Sequence, residues 1–208
     1  MFRREMLSFA SAALAIFLLV AGAGWYSVRE LHKTSVKLAT ETLPGLMSAG
    51  LAEQRMNQNR FLMRQMLGAQ TAARRAQMIE QIKTNRMEGL WQDYTNTMVE
   101  TVDREHYQIM MQARSNYAQG CQSFFDLMLM AKTNEAAALF WGDLSKAYQD
   151  YNTAARALFD YKSQQGIARA RTVLVTTTYS PWLIAGLCVL MFVFGLLLGV
   201  RFLLSGGG

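Results

Sequence analysis

Cysteine, histidine and proline are scarce in this sequence of 208 residues, which contains two of each. Cys188 lies within a long apolar run and Cys121 does not, so no disulfide is expected between them. A helical bundle that binds two iron ions needs two Glu-x-x-His pairs, and the nearest match here is a single Asp103-x-x-His106. We therefore predict no enzyme activity, no catalytic residue, no metal and no cofactor. Asp103 is interpreted as a helix cap and His106 as a surface residue.

Strand-like alternation of apolar and polar residues is also missing, whereas alanine, glutamine, methionine, leucine and arginine are abundant between residues 29 and 171. This composition predicts an almost entirely helical region. Breaks are expected where turn-forming or capping residues cluster, at Gly68–Thr71, Thr101–Asp103 and Lys132–Asn134. Pro44 is expected to kink the first helix. The four predicted helices are 29–67, 72–100, 104–131 and 135–171.

Apolar positions in these helices recur at alternating steps of three and four residues, which is the spacing of a coiled-coil seam. The seams of the last three helices comprise Met87, Trp91, Tyr94 and Met98; Tyr107, Met110, Arg114, Tyr117, Cys121, Phe124 and Met128; and Phe140, Leu144, Ala147, Tyr151, Ala154, Leu158 and Tyr161. Such seams pack antiparallel neighbours at shallow crossing angles. We predict an all-α, membrane-anchored, antiparallel up-down-up-down four-helix bundle, with the methionines and aromatic residues as its core rather than as a cofactor pocket.

Two runs without a charged residue, 6–28 and 172–200, are each longer than the roughly 20 helical residues that cross a bilayer. Trp25 and Tyr26 stand where aromatic residues anchor a retained helix. Ala21–Ala23 resembles a signal cleavage site, so removal of the first run is the alternative. The predicted parts are 1–28 with the first transmembrane helix, 29–171 as the bundle, 172–204 with the second transmembrane helix, and 205–208 as a glycine-rich stub.

Positive charge at the ends of these runs predicts the topology. Arg3 and Arg4 precede the first run and Arg201 follows the second, which favours two cytoplasmic termini and a periplasmic bundle in a two-pass inner-membrane protein. Residues 29–171 contain 18 Lys+Arg and 14 Asp+Glu, a net charge of +4. This excess favours anionic ligands or membrane surfaces, and no nucleic-acid partner is expected.

The order and spacing of three stretches resemble the sensory region of methyl-accepting chemotaxis proteins that have a four-helix-bundle ligand-binding domain. The stretches are "TLPGLMSAGLAEQR", "TVDREHYQIMMQARSNYAQG" and "AKTNEAAALFWGDLSKAYQDYNTAARALFDYKSQQGIARAR". The resemblance implies a homodimer that binds a small ligand near the membrane-distal end of the subunit interface. It also implies that a HAMP domain would begin at 205–208. Met56 and Met63 are expected on the dimer seam of the first helix, and Cys121 inside its own bundle.

In the aspartate and serine receptors of this family, three arginines spaced Arg-x4-Arg-x3-Arg hold the ligand's carboxylates, and Arg55, Arg60 and Arg64 have that spacing. On a helix, Arg60 and Arg64 lie about 40° apart, whereas Arg55 is about 140° from Arg60. A shared pocket would therefore use Arg55 from one subunit and the other two from its partner. The aspartate-type receptors also use a threonine that starts the fourth helix, for which Thr133 is the candidate. The alternative for the arginines is a solvated surface or ion pairs with Glu53 and other acids.

The predicted function is the sensory and transmembrane region of a bacterial chemoreceptor, which binds an amino acid, an organic acid or a periplasmic binding protein. Two alternatives remain open from the sequence. One is the input module of a sensor histidine kinase or cyclase. The other is a membrane-anchored structural or adaptor bundle that binds protein.

Overall fold

The computed structural model describes residues 2–205, so most of the predicted stub at 205–208 lies outside the described residues. Every regular element in this part of the chain is helical, which confirms the all-α prediction. The elements are α1 (Phe2–Lys37), a π-helical segment (Leu38–Thr42), α2 (Leu43–Leu67), α3 (Ala72–Thr84), α4 (Glu88–Thr95), α5 (Thr101–Leu129), α6 (Thr133–Trp141) and α7 (Asp143–Ser205).

The chain divides into two compact units. The terminal unit consists of Met1–Lys37 and Ala168–Gly208, and the bundle unit is Leu38–Ile167. Four rods of helix form the bundle unit, at 38–67, 72–95, 101–129 and 133–167. The predicted four-helix bundle is confirmed, whereas the predicted limits of its domain, 29–171, stay a prediction.

The core of the bundle unit is rich in methionines and aromatic rings, as the seams of the last three predicted helices indicated. Its largest fully buried apolar side chains are Trp91, Tyr94, Tyr151, Phe124, Phe140, Met56, Met63, Met66, Met110, Met128 and Leu144. Burying a side chain of this size contributes about 1.5–3 kcal/mol to folding. Met56 and Met63 are only 1% exposed, so the expectation that they lie on a dimer seam was wrong. Ala49 and Ala52 are buried on the same face of α2, so this face, including both methionines, packs against the core of its own bundle.

The turn predicted at Gly68–Thr71 is confirmed. The first helix of the bundle ends at Leu67, and Thr71 caps α3 by accepting a hydrogen bond from the backbone nitrogen of Arg74 at 3.3 Å. A threonine side chain at this position satisfies a backbone N–H that has no partner within the helix.

Two predicted helices are interrupted. The second, 72–100, breaks at Asn85–Met87 and ends at Thr95, and the fourth breaks at Gly142. The sequence pattern missed both breaks because short turns leave the three- and four-residue spacing of core positions intact. In the folded chain, the amide of Asn85 donates a hydrogen bond to Asn59 on α2 at 3.2 Å, which is a tertiary contact that sequence spacing does not reveal.

The start of α5 also differs from its prediction. Glu100 occupies the N-cap position, so Thr101 is already helical and Asp103 lies inside the first turn. Asp103 is completely buried, and its interpretation as a cap was wrong. His106 is half-buried rather than on the surface, with its ring 5.6 Å from that of Tyr161.

The irregularity expected at Pro44 lies just before it. The π-helical segment Leu38–Thr42 ends two residues before this proline, which occupies the first turn of α2. Proline has no N–H to donate and its ring crowds the preceding turn, and a wider π turn accommodates both effects.

In the terminal unit, α1 and the last part of α7 contain the apolar runs. Among the described residues, two helical stretches are long and apolar enough to cross a membrane. Their large apolar side chains are exposed along the helices, including Leu19, Trp25, Trp182 and Leu190.

Candidate functional site

The side chain of Arg60 extends from α2 toward the junction of α6 with α7. Its guanidinium carbon is 4.1 Å from the ring centre of Tyr148 and 4.9 Å from that of Phe140. The Nη2 atom donates a hydrogen bond to the hydroxyl of Ser145 at 3.0 Å. The Nη1 atom is buried and has no hydrogen-bond partner among the described residues. This buried donor is therefore unsatisfied within the described part of the chain.

The break at Gly142 assembles the α7 side of this site. Phe140 precedes the break and Ser145 and Tyr148 follow it, and all three turn toward α2. The hydroxyl of Tyr148 donates a hydrogen bond to the side-chain oxygen of Asn57. Burial raises the pKa of Tyr148 above its usual value, against the opposing effect of the Arg60 charge. Tyr148 is therefore a neutral hydrogen-bond donor at physiological pH.

Arg64 lies one helical turn beyond Arg60 on the same side of α2. Its guanidinium carbon is 5.6 Å from the ring centre of Trp141, and both side chains are exposed. A cation over an indole ring contributes about 0.5–1 kcal/mol at an exposed position. No ion pair joins Arg60 or Arg64 to a carboxylate within the described residues. Two positive charges consequently stand together without an acid to neutralise them.

Arg55 has a different environment on another side of the helix. Its Nη1 donates a hydrogen bond to the carbonyl oxygen of Arg86 in the break between α3 and α4 at 2.5 Å. This position agrees with the angle of about 140° expected from the sequence. Within one subunit, the structure brings Arg60 and Arg64 together and separates Arg55 from them.

Thr133 is the first residue of α6 and is half-buried. It precedes Trp141 by eight residues, which is about 12 Å along a helix. Thr133 is therefore at the opposite end of α6 from the rings that surround Arg60. Its contact with a ligand stays a prediction, as do those of the three arginines.

The ion pair considered for these arginines is formed elsewhere. Glu53 accepts a hydrogen bond from Nε of Arg156 on α7 at 3.0 Å, which is also an ion pair. The interpretation that Glu53 neutralises one of the three arginines was wrong. Arg156 forms this ion pair because α7 packs directly beside α2. The spacing of residues within α2 does not reveal which helix lies next to it.

Sequence reasoning missed most of the side chains that surround Arg60. Phe140 was predicted on the seam of the fourth helix, whereas Ser145, Tyr148 and Asn57 are on no predicted seam and were given no role. A weak signal was available in "FWGDLS", where a glycine follows two aromatic residues and a hydroxyl comes three residues later. A glycine at that point favours a helix break, and a break re-aims the side chains on either side of it.

A concavity that does not include Arg60 lies along α2 and α4. It is a shallow groove of about 570 Å³, lined by Ala39, Thr40, Leu43, Pro44, Met47, Ser48, Leu51, Leu90, Asp93, Asn96 and Thr97. The only charged lining residue is an acid, so the groove does not suit an anion. No group of three or more metal-binding side chains was found among the described residues.

Comparison with known proteins agrees with this architecture. Residues 4–170 match a family described as a four helix bundle sensory module for signal transduction. No curated protein matches the chain significantly. The matched range covers most of the chain and includes all four rods of the bundle unit. The protein therefore belongs to the family of four-helix-bundle sensory modules of the methyl-accepting chemotaxis type, which act in signal transduction.

Proposed function

We propose that the bundle unit senses a small anionic ligand, an amino acid or an organic acid, which Arg60 and Arg64 bind beside the α6–α7 junction. The observation that carries this proposal is the buried Nη1 of Arg60, which has no hydrogen-bond partner among the described residues. The neighbouring charge of Arg64 makes the site more attractive to an anion. A guanidinium presents its donors as a planar fork that matches a carboxylate. The protein acts as a binding module and not as a catalyst.

The geometry around Arg60 supports recognition of a carboxylate. Phe140 and Tyr148 hold the guanidinium from two sides, so little side-chain freedom would be lost on binding. Trp141 is 59% exposed and lies beside the Arg64 guanidinium, which gives a ligand's apolar part a surface to contact. A periplasmic binding protein that presents an acidic side chain here is the alternative partner.

A second subunit is part of the proposal. The side of α2 that faces away from its own core exposes Leu43, Met47, Leu51 and Phe61. Gln54 and Gln58 continue this row at three- and four-residue steps and are exposed as well. Two copies of such a face pack against each other about a two-fold axis. In that homodimer, Arg55 would reach toward the partner's Arg60 and Arg64.

The membrane arrangement is proposed from charge and helix length. We propose that α1 and the last part of α7 span the inner membrane, with residues 29–171 in the periplasm and both termini in the cytoplasm. The continuous helix α7 includes Ser145 and Tyr148 as well as the second apolar run. A displacement of α7 at the ligand site would therefore be transmitted along one helix to the cytoplasmic side.

Ligand binding can be tested on the full chain in detergent or nanodiscs. The probes are a panel of L-amino acids, dicarboxylates and aromatic carboxylates, screened by thermal shift and followed by calorimetry. Arg60→Ala should weaken the best binder about ten- to hundred-fold, because a hydrogen bond to a charged group contributes about 1.5–3 kcal/mol. Arg74→Ala, which removes an exposed arginine on α3, is the matched control and should bind normally. Equal affinity of the two variants would contradict the site, and silence of the whole panel would contradict small-ligand sensing.

The topology has a separate test. A cysteine placed at Gln70, in the turn after α2, should react with a membrane-impermeant maleimide in intact spheroplasts when Cys121 and Cys188 are replaced by alanine. A cysteine at Ser205 should react only after the membrane is permeabilised. Reaction of Ser205→Cys in intact spheroplasts would contradict the two-span arrangement.

A further inference from the structure

A buried ion pair joins the third and fourth rods of the bundle unit. Lys162 of α7 is 1% exposed and Asp103 of α5 is completely buried. The lysine Nζ lies 2.6 Å from Oδ2 of Asp103 and donates a hydrogen bond to the carbonyl of Thr97 at 2.9 Å. The hydroxyl of Tyr94 donates to the other carboxylate oxygen at 2.6 Å. We refer to Tyr94, Asp103 and Lys162 as the charged cluster.

All four rods of the bundle meet at this cluster. Tyr94 belongs to the second rod, and Gly45 belongs to the first. A Cβ added at Gly45 would lie 3.0 Å from Cε of Lys162 and 2.6 Å from Oγ1 of Thr97. The stem of the lysine therefore passes against bare backbone of α2. The other three rods together therefore define the position of the Lys162 side chain.

The other polar contacts of α7 in the core are neutral, such as the hydrogen bond that Nε1 of Trp91 donates to the hydroxyl of Tyr151 at 3.0 Å. The seam of α7 repeats small and large apolar residues at three- and four-residue steps, in Ala147, Tyr151, Ala154 and Leu158. A seam of apolar residues at regular steps offers the same kind of contact after a shift by one turn, although Tyr151 would then occupy the space of Ala147. The facing core contains many methionines, whose flexible side chains adapt to such shifts.

An ion pair does not tolerate that shift. A one-turn slide moves a side chain about 5.4 Å along the axis, which would separate Nζ from the Asp103 carboxylate. Both charges would then be buried without a charged partner, and Asp103 would keep only the hydrogen bond from Tyr94, which is an unfavourable arrangement in a protein interior. A single buried polar group is known to fix register in helical bundles in this way.

We propose that the charged cluster fixes the register of α7 against the other three rods of the bundle. Tyr148, which contacts Arg60, precedes Lys162 by 14 residues on the same helix, about 21 Å along its axis. The cluster thereby determines the resting position from which any signal-bearing displacement of α7 must start. This inference does not depend on whether Arg60 binds a ligand.

The register can be measured by electron-spin distance measurements on the full chain in nanodiscs. Spin labels are attached at Gln119→Cys on α5 and Asp160→Cys on α7, with Cys121 and Cys188 replaced by alanine and labelled chain diluted in unlabelled chain. These exposed positions are offset by about 20 Å along the bundle axis, so a one-turn slide changes their separation measurably. The unmodified cluster should give one narrow distance.

The decisive variant replaces the cluster by apolar groups of similar volume: Tyr94→Phe, Asp103→Leu and Lys162→Met together. Such replacements commonly leave a helical protein folded. We expect an unchanged helical circular dichroism signal and a second distance shifted by about 5 Å. The matched control is Glu53→Gln with Arg156→Gln, which removes the exposed ion pair between α2 and α7 and should keep the single distance.

A folded triple variant that keeps one unchanged distance would overturn the proposal. Asp103→Asn with Lys162→Met is a smaller change and should also produce the second distance. If both variants lose their helical signal, the charged cluster is required for folding itself, and its assignment to register is overturned as well.

Discussion

Three arginines of one helix have three different environments, and side-chain contacts rather than spacing distinguish them. Arg60 lies between two rings and has a buried nitrogen without a described partner, Arg64 covers an exposed indole, and Arg55 donates to a backbone carbonyl. Their chemistry is the same, but only Arg60 is held in place from two sides. In the proposed site, Arg60 is therefore the arginine that we expect to contribute most to ligand binding.

Two glycines of α2 allow a comparison of close and loose packing at single-residue scale. Gly45→Ala should lower the free energy of unfolding by about 1–3 kcal/mol, because its Cβ would lie 2.6 Å from Oγ1 of Thr97. Gly50→Ala is the control. Its Cβ would be 3.5 Å from the ring of Phe159, an ordinary contact, and it should raise stability by about 0.5–1 kcal/mol through helix propensity. Thermal unfolding followed by circular dichroism measures both, and equal effects would contradict the packing at Gly45.

At the scale of elements, the bundle is built from rods that are interrupted more often than the sequence suggested. Breaks at Asn85–Met87 and at Gly142 place a carbonyl against Arg55 and a hydroxyl against Arg60. The interruptions thus create polar contacts to α2 that straight helices would not provide. A π-helical segment before Pro44 is a third irregularity at the start of the same rod.

The end of α5 offers a test of helix termination. Ala131 has φ of 58°, and the backbone nitrogen of Lys132 donates to the carbonyl of Leu127 at 2.9 Å, which is the pattern of a Schellman motif. A left-handed conformation is unfavourable for alanine and free of strain for glycine. Ala131→Gly should raise the free energy of unfolding by about 0.5–1 kcal/mol.

The control for this change is Ala118→Gly, in an exposed position within α5. It should lower stability by about 1 kcal/mol, because glycine is a poor helix former. Denaturant unfolding of the full chain in detergent measures both variants. A loss of stability in Ala131→Gly similar to that in Ala118→Gly would show that the turn is not left-handed.

At the scale of the whole molecule, the proposed dimer depends on which face of α2 remains uncovered. Met56 and Met63 belong to the core, so the free face is the row that contains Leu51, Gln54 and Phe61. The row is mixed in character, with apolar residues separated by glutamines.

Disulfide crosslinking tests that face in membranes. In a chain with Cys121 and Cys188 replaced by alanine, Gln54→Cys or Gln58→Cys should form dimers under mild oxidation. Met63→Cys should stay monomeric, because its side chain is turned into its own bundle. Efficient dimers through Met63→Cys together with monomers at both glutamine positions would contradict the proposed interface.

The sequence by itself determined the helical class, the turn after Leu67, the identity of most core residues and the two apolar stretches. Each of these depends on local propensity or on the periodicity of side chains along one helix, which neighbours in sequence fix. Trp91, Phe124 and Tyr151 are buried as their spacing predicted.

Only the tertiary structure decided which polar groups meet. The pairing of Glu53 with Arg156, the contacts of Arg60 with Ser145 and Tyr148, and the burial of Asp103 with Lys162 join residues 59 to 103 positions apart. Helical periodicity specifies the side of its helix on which a side chain lies. It does not specify which neighbouring helix, or which residue along that helix, the side chain contacts. Those depend on how the breaks at Asn85–Met87 and Gly142 orient the rods, and that orientation is a property of the packed bundle.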